Sequence, residues 1–149
     1  MYVMLNILNQ TRFQYHLAPL KLNLKQSLGS GSCVGSFGHS KAMADDNNPQ
    51  APIWHTAPDA QYNYASFPYD LCLGLNGAEN VGYSATSNEL QDLNTIESMM
   101  MSEPHDPYPQ ACDGVLSHAC NILTANYPEV GIGIYQEWGR TYITEDFVP

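Results

Sequence analysis

The chain has 149 residues, enough for one domain around one core (residues 1–149) and short for two of ordinary size. Fifteen acidic residues against five basic ones give a formal net charge of −10 and an isoelectric point near 4.5, so a polyanion such as nucleic acid would meet a repulsive field. No apolar run approaches the roughly twenty residues that a membrane-spanning helix needs.

Charged residues make up only 13% of the chain, where about 25% is usual, and Asn, Ser, Gly, Pro and Tyr are plentiful. That balance suits an extracellular surface. Cys33, Cys72, Cys112 and Cys120 are even in number and contain no Cys-x-x-Cys pair. Two disulfides are the simplest reading, Cys33 with Cys72 and Cys112 with Cys120, although four cysteines allow three connectivities and four buried thiols are the plain alternative. Met1 to Leu8 has no basic start and no small-residue cleavage site, so an export signal is expected upstream or already removed. Asn9-Gln10-Thr11 is an N-glycosylation triplet within an expected helix.

Met4, Ile7, Leu8, Thr11 and Tyr15 recur at spacings of three and four, which predicts an amphipathic first helix with Asn6, Asn9, Arg12 and Gln14 mainly on the polar side. Ala18-Pro19 ends it. From Leu24 to Asn47, Leu28, Ser32, Gly35, His39, Ala42 and Met43 share one helical face, and small residues there would let a helix lie close to a neighbour. The four glycines of the segment oppose this by up to about 1 kcal/mol each. Asn48 to Leu75 is broken by Pro49, Pro52, Pro58 and Pro68 and reads mostly as loop, pinned by Cys72.

Thr86-Ser87-Asn88-Glu89 reads as a capping box ahead of Leu90, Leu93, Ile96 and Met100 at helical spacing, with Glu97 on the exposed face and Met99 to Met101 as core packing. Pro104, Pro107 and Pro109 end that region. A further helix is expected from Val115 to Ala125, then strands from Glu129 to Tyr135 and Arg140 to Val148 joined as a hairpin. Helices first and strands late argue an α+β fold, with an antiparallel sheet between helical layers.

Several stretches, in order, resemble the CAP superfamily: the cysteine-rich secretory, antigen 5 and pathogenesis-related proteins with an SCP-like extracellular domain. Asn9-Gln10-Thr11-Arg12 with Ala18-Pro19-Leu20 is similar to its "NxxR…PL" pattern, and His39-Ser40-Lys41-Ala42-Met43-Ala44 to "HSxxMA". Gly77-Ala78-Glu79-Asn80-Val81 is similar to "GENI", and Ser102-Glu103 to the "W-x-S-E" loop with methionine in place of tryptophan. His118-Ala119-Cys120-Asn121-Ile122-Leu123 is similar to "HxxNIL". Glu129-Val130-Gly131-Ile132-Gly133 and Tyr142-Ile143-Thr144-Glu145-Asp146-Phe147 resemble the closing "EVGIG…YxTQDF" strands. The ordered set, covering nearly the whole chain, carries the resemblance.

The resemblance implies a three-layer α-β-α sandwich with a central antiparallel sheet and an open cleft holding two histidines and two glutamates. Those would be His55, within Trp54-His55-Thr56, together with Glu79, Glu103 and His118. His39 is an alternative first histidine. A proline-rich insertion with His105 separates Glu103 from His118. Two imidazoles can coordinate zinc through nitrogen, with carboxylates as oxygen ligands or as holders of the imidazole tautomers. Each residue also has a plainer reading: Glu79 capping a local turn, Glu103, His55 and His105 as solvated groups, and His118 at a surface helix start.

No serine sits in a Gly-x-Ser-x-Gly turn, and no glycine-rich phosphate loop follows a strand. A secreted, non-enzymatic binding module for a lipid or sterol, a glycan or a protein partner is the first functional reading. A metal-dependent hydrolase using the four side chains is the second, with glutamate as general base. The third is a structural subunit of an extracellular homo-oligomer or filament.

Overall fold

A computed structural model describes residues 1–58, 60–68, 71–72, 77–86, 88–103 and 117–149. Five α-helices and four strands run through them. In chain order these are α1 (Tyr2–Gln14), β1 (Lys21–Leu22), α2 (Leu24–Leu28), α3 (Gly35–Asp46), β2 (Ala78–Ser84), α4 (Glu89–Met101), α5 (His118–Leu123), β3 (Glu129–Glu137) and β4 (Arg140–Val148). The sheet order is β1-β3-β4-β2, antiparallel across β3-β4 and β4-β2, while the two-residue β1 adds a parallel edge on β3. The central sheet is thus antiparallel, as expected, with the short parallel edge added at one side.

The period-2 alternation of the strands separates two faces. On one face, Val130 and Ile132 of β3 with Ile143 and Phe147 of β4 pack against Met4, Leu8, Leu93, Ile96, Met100, Ile122 and Leu123. That face is covered by α1, α4 and α5, and each large apolar side chain buried there contributes about 1.5–3 kcal/mol. On the other face, Val81 and Tyr142 pack with Met43 and Ala44 of α3. The result is the three-layer α-β-α sandwich expected from the sequence.

The glycines of β3 explain how α2 and α3 seat so closely. A side chain at Gly131 would collide with Gln26, and one at Gly133 with the Ser36 backbone. Into that space the helices place polar partners: Ser40 Oγ donates to the Gly133 carbonyl, and Ser36 Oγ to Asp146 Oδ2 at 2.6 Å. Small residues in both layers therefore let backbone approach backbone. The expected single helix from Leu24 to Asn47 is two helices, because Gly29 at φ 78° and Gly35 at φ 65° hold backbone conformations that glycine favours. Both glycines also lie against backbone that a Cβ would strike.

Three further expectations change. The cap of α4 is Asn88, whose side chain accepts the Gln91 N–H, while the Thr86 hydroxyl bonds the Asn88 backbone and the Thr86 N–H donates to Asp92. Arg12 is not on a polar face but buried, donating to the carbonyls of Ala18, Ile122 and Thr124, where it covers the end of α5. Glu97 is buried rather than exposed and takes the Thr11 hydroxyl at 2.6 Å. In both cases helix α1 supplies or receives the partner from far along the chain.

Cys33 and Cys72 form a disulfide with a Cα–Cα distance of 5.4 Å. Cys120 is also disulfide-bonded, and its expected partner Cys112 lies outside the described residues. The amide of Asn9 is held at both ends by the Leu20 backbone, accepting at 2.7 Å and donating at 3.1 Å, so the glycosylation triplet stands at a clamped mid-helix position. Among the described residues, no helix is long and apolar enough to cross a membrane.

Candidate functional site

Strand β2 is the edge of the sheet, and the four expected side chains gather around its first residues. Glu79 sits in β2, not in a local turn as its plainer reading had it, and points to the α3 face. Its polar neighbours hid the strand from sequence reading: Glu79 and Asn80 interrupt the apolar pattern, and each is accommodated by partners distant in sequence. His39, on α3, is completely buried and lies 2.7 Å from Glu79 Oε2 through Nδ1. Its Nε2 lies 3.0 Å from the Trp54 carbonyl. A carbonyl oxygen only accepts, so Nε2 carries a hydrogen and one further proton lies between Nδ1 and the carboxylate. The rings of His39 and Trp54 are 4.9 Å apart, which fixes the start of the loop that brings in His55.

His55 places Nδ1 2.7 Å from the other oxygen of Glu79, and its carbonyl accepts the Phe67 N–H at 2.9 Å. Glu79 is thus a buried carboxylate bridging two imidazoles, one internal and one half-exposed (51%). Across the cleft, His118 opens α5 and its Nδ1 lies 2.7 Å from Glu103 Oε1, while its backbone N–H donates to Oε2 at 2.7 Å. Burial by itself would raise the Glu103 carboxyl, but the two bonds from His118 and the charge of its ring outweigh it and hold Glu103 below the ordinary value. Ser117 caps α5 by accepting the Cys120 N–H.

The two histidine–glutamate pairs meet ring to ring. His55 and His118 stack with centroids 6.1 Å apart and planes 22° from parallel. Each Nδ1 is turned to a carboxylate, so in the neutral tautomer each Nε2 keeps its lone pair for another partner. Glu79 and Glu103 act here as holders of the rings. Among the described residues no group of three or more His, Cys, Asp or Glu side chains is arranged to hold a metal ion. His105 lies outside the described residues.

Two asparagines tie the halves together. Asn121 donates to the Glu79 carbonyl at 3.3 Å and to Asn80 Oδ1 at 2.9 Å, and Asn80 donates to the His118 carbonyl at 3.2 Å. Both lie inside the motif stretches quoted above, but single letters in a motif did not reveal that they bridge β2 to α5. His39, weighed in the sequence as an alternative cleft histidine, lies behind the cleft as the inner support of Glu79.

No family model matches the sequence, and no curated protein matches it. Among solved structures the chain is similar to the crystal structure of an extracellular protein containing an SCP domain from Bacillus anthracis str. Ames. The likeness covers 99% of this chain with a TM-score of 0.59 at 18% identity. The chain spans 39% of the length of that one. Likeness at this identity is a likeness of architecture, and together with the layer order it gives one conclusion: the chain has an SCP/CAP-like α-β-α fold.

Proposed function

We propose that the protein is a secreted SCP-type binding module that takes an extracellular partner (a lipid or sterol, a glycan or a protein) at the His55–His118 cleft without chemical turnover. The observation that carries this reading is the stacked imidazole pair with each Nδ1 held by a carboxylate. Such a pair presents two fixed Nε2 acceptors at an edge that is open enough to leave His55 half-exposed. The Cys33–Cys72 disulfide and the extracellular origin of the structural neighbour support secretion.

A divalent cation such as zinc would be held through Nε2 of His55 and His118, fewer than the three or four protein ligands zinc usually takes, and it would supply Lewis-acid attraction for an oxygen or nitrogen of the partner. The hydrolase reading is weaker on this geometry. Glu79 is buried between two imidazoles and Glu103 is bonded twice to His118, so neither carboxylate is presented as a general base toward a bound water. Ser117 serves as a helix cap.

Calorimetric titration of zinc into the wild type, His55→Ala and His118→Ala tests the cation part of the reading. One site is expected in the wild type, weakened at least about tenfold in either variant. No heat in the wild type, or the same isotherm in all three, overturns it. Binding of sterol-containing vesicles or glycans that is the same in His55→Ala as in the wild type would remove the cleft as the contact surface.

A further inference from the structure

The opposite face of the sheet holds a second pair of acids that the cleft does not use. Glu97 on α4 and Glu145 on β4 are both buried, Glu145 completely. Glu97 Oε1 accepts the Thr11 hydroxyl at 2.6 Å, and Glu145 Oε2 accepts the Asn80 amide at 3.2 Å. Their other oxygens, Glu97 Oε2 and Glu145 Oε1, have no hydrogen-bond partner among the described residues. The same Asn80 amide reaches Met100 Sδ, one turn beyond Glu97 on α4, at 3.8 Å, and the Glu97 charge acts on Glu145, so both acids lie in the layer between α4 and the sheet. An uncompensated carboxylate in such a place is strongly disfavoured, and two together are worse. One proton shared between the two inward oxygens satisfies both at once, because a carboxyl O–H donates and a carboxylate accepts.

We propose that Glu97 and Glu145 share one proton between Oε2 of the former and Oε1 of the latter, and that this proton is a pH-sensitive lock joining α4 to β4 behind the cleft. The lock reaches His118 through Asn80, which bonds Glu145, the His118 carbonyl and Asn121 together. When the proton leaves to solvent base, two like charges face one another. The α4–sheet contact then loosens, and the backbone support of His118 loosens with it.

The surrounding charged groups have other attachments. On α1, Arg12 donates to the carbonyls of Ala18, Ile122 and Thr124. Earlier on α4, Asp92 accepts the Thr141 hydroxyl and the Thr86 N–H. On α5, His118 bonds Glu103. Glu79 and Asp146 alternate onto the other face of the sheet, where His39 and His55 hold the first and Gln26 and Ser36 the second. Burial raises the Glu97 carboxyl against the Thr11 bond. For Glu145, burial and then the Glu97 charge raise it well above the ordinary value against the Asn80 bond, with a further push from Asp146. A raised folded-state value means that the folded chain holds more protons than the unfolded one. The contribution is complete below the unfolded carboxylate value and is lost as pH rises through the folded one.

Infrared spectroscopy and thermal unfolding across neutral to alkaline pH test the proposal on the wild type, Glu97→Gln and Glu145→Gln. The wild type is expected to show the carbonyl stretch of one buried protonated carboxyl at neutral pH, and both variants to lack it. Its folding equilibrium constant should fall by up to about tenfold per pH unit where that proton is lost. In Glu145→Gln the amide N–H replaces the shared proton, so that alkaline slope should flatten and the His118 amide resonance should stop moving with pH. A wild type without the protonated band, or an equal alkaline slope in Glu145→Gln, overturns the proposal. If a variant fails to fold, the wild type decides: the band must titrate away together with the movement of the His118 resonance, and independent behaviour of the two overturns the lock.

Discussion

Glu79 joins the inner and outer halves of one side of the site. It is a buried carboxylate bonded at one oxygen to a buried imidazole and at the other to the half-exposed His55. Replacing it by glutamine takes away the carboxylate that both His39 and His55 face and leaves two buried hydrogen bonds to be made by one amide. Glu79→Gln is expected to cost about 2 kcal/mol in urea unfolding, in the range for mismatched buried hydrogen-bond partners. Glu103 illustrates the opposite sign from the Glu97–Glu145 pair. Its carboxyl is held low in the folded state, so its contribution is present above the unfolded carboxylate value and disappears as pH falls through the folded one. Because its side chain is 35% exposed, solvent screening keeps that contribution below about 1 kcal/mol. Glu103→Gln should therefore lower stability slightly at neutral pH and make the acid limb of the melting temperature shallower, as read by circular dichroism. Ordered motifs singled out Glu79, Glu103 and His118, and the fold brings them near one another with His55. That Glu79 has an inner partner in His39 was not legible in the motifs, because 40 residues separate the two and only packing joins them.

At the level of elements, the seating of α3 on β3 depends on the absence of a side chain at Gly133. Gly133→Ala places a Cβ on the Ser36 backbone, which cannot move without shifting the helix that carries His39. A loss of about 3 kcal/mol in chemical denaturation is expected, the upper end for overpacking, together with a shifted His39 resonance. A surface cap gives a contrasting magnitude. Asn88→Ala removes the side-chain acceptor for Gln91 N–H at the start of α4 and should cost only about 1 kcal/mol, measured by the same unfolding experiment. Strands β3 and β4 and helix α4 could be read from the chain because their apolar spacing matches their period. Strand β2 could not: Glu79 and Asn80 break its apolar run, and both are satisfied by groups from α3, α5 and β4. The break between α2 and α3 escaped for a related reason. One shared face suggested continuity, whereas the positive φ at Gly29 and Gly35 arises where the chain turns back on itself.

For the whole molecule, the Cys33–Cys72 bridge ties the loop that delivers His55 to the layer that carries His39. It spans 39 residues, for which loop-closure entropy gives about 4 kcal/mol. Cys33→Ala with Cys72→Ala should lower folding stability by about that amount, and a change well below it in urea unfolding would show that strain or residual unfolded structure offsets the entropy. The sequence by itself determined the acidic balance, the even cysteine count, the closing hairpin and the motif order that points to an SCP-type sandwich, all of which depend on composition, local periodicity or chain order. The Cys33–Cys72 pairing was one of three connectivities until the fold brought the two together. Only the tertiary structure decided that the four cleft residues form two histidine–glutamate pairs with stacked rings. It alone decided that Glu97 and Glu145 are both buried, each with one oxygen unpartnered among the described residues, and that Arg12 covers the end of α5. Those outcomes depend on which distant groups can satisfy a buried charge or hydrogen bond, a matter of three-dimensional proximity that no local spacing encodes.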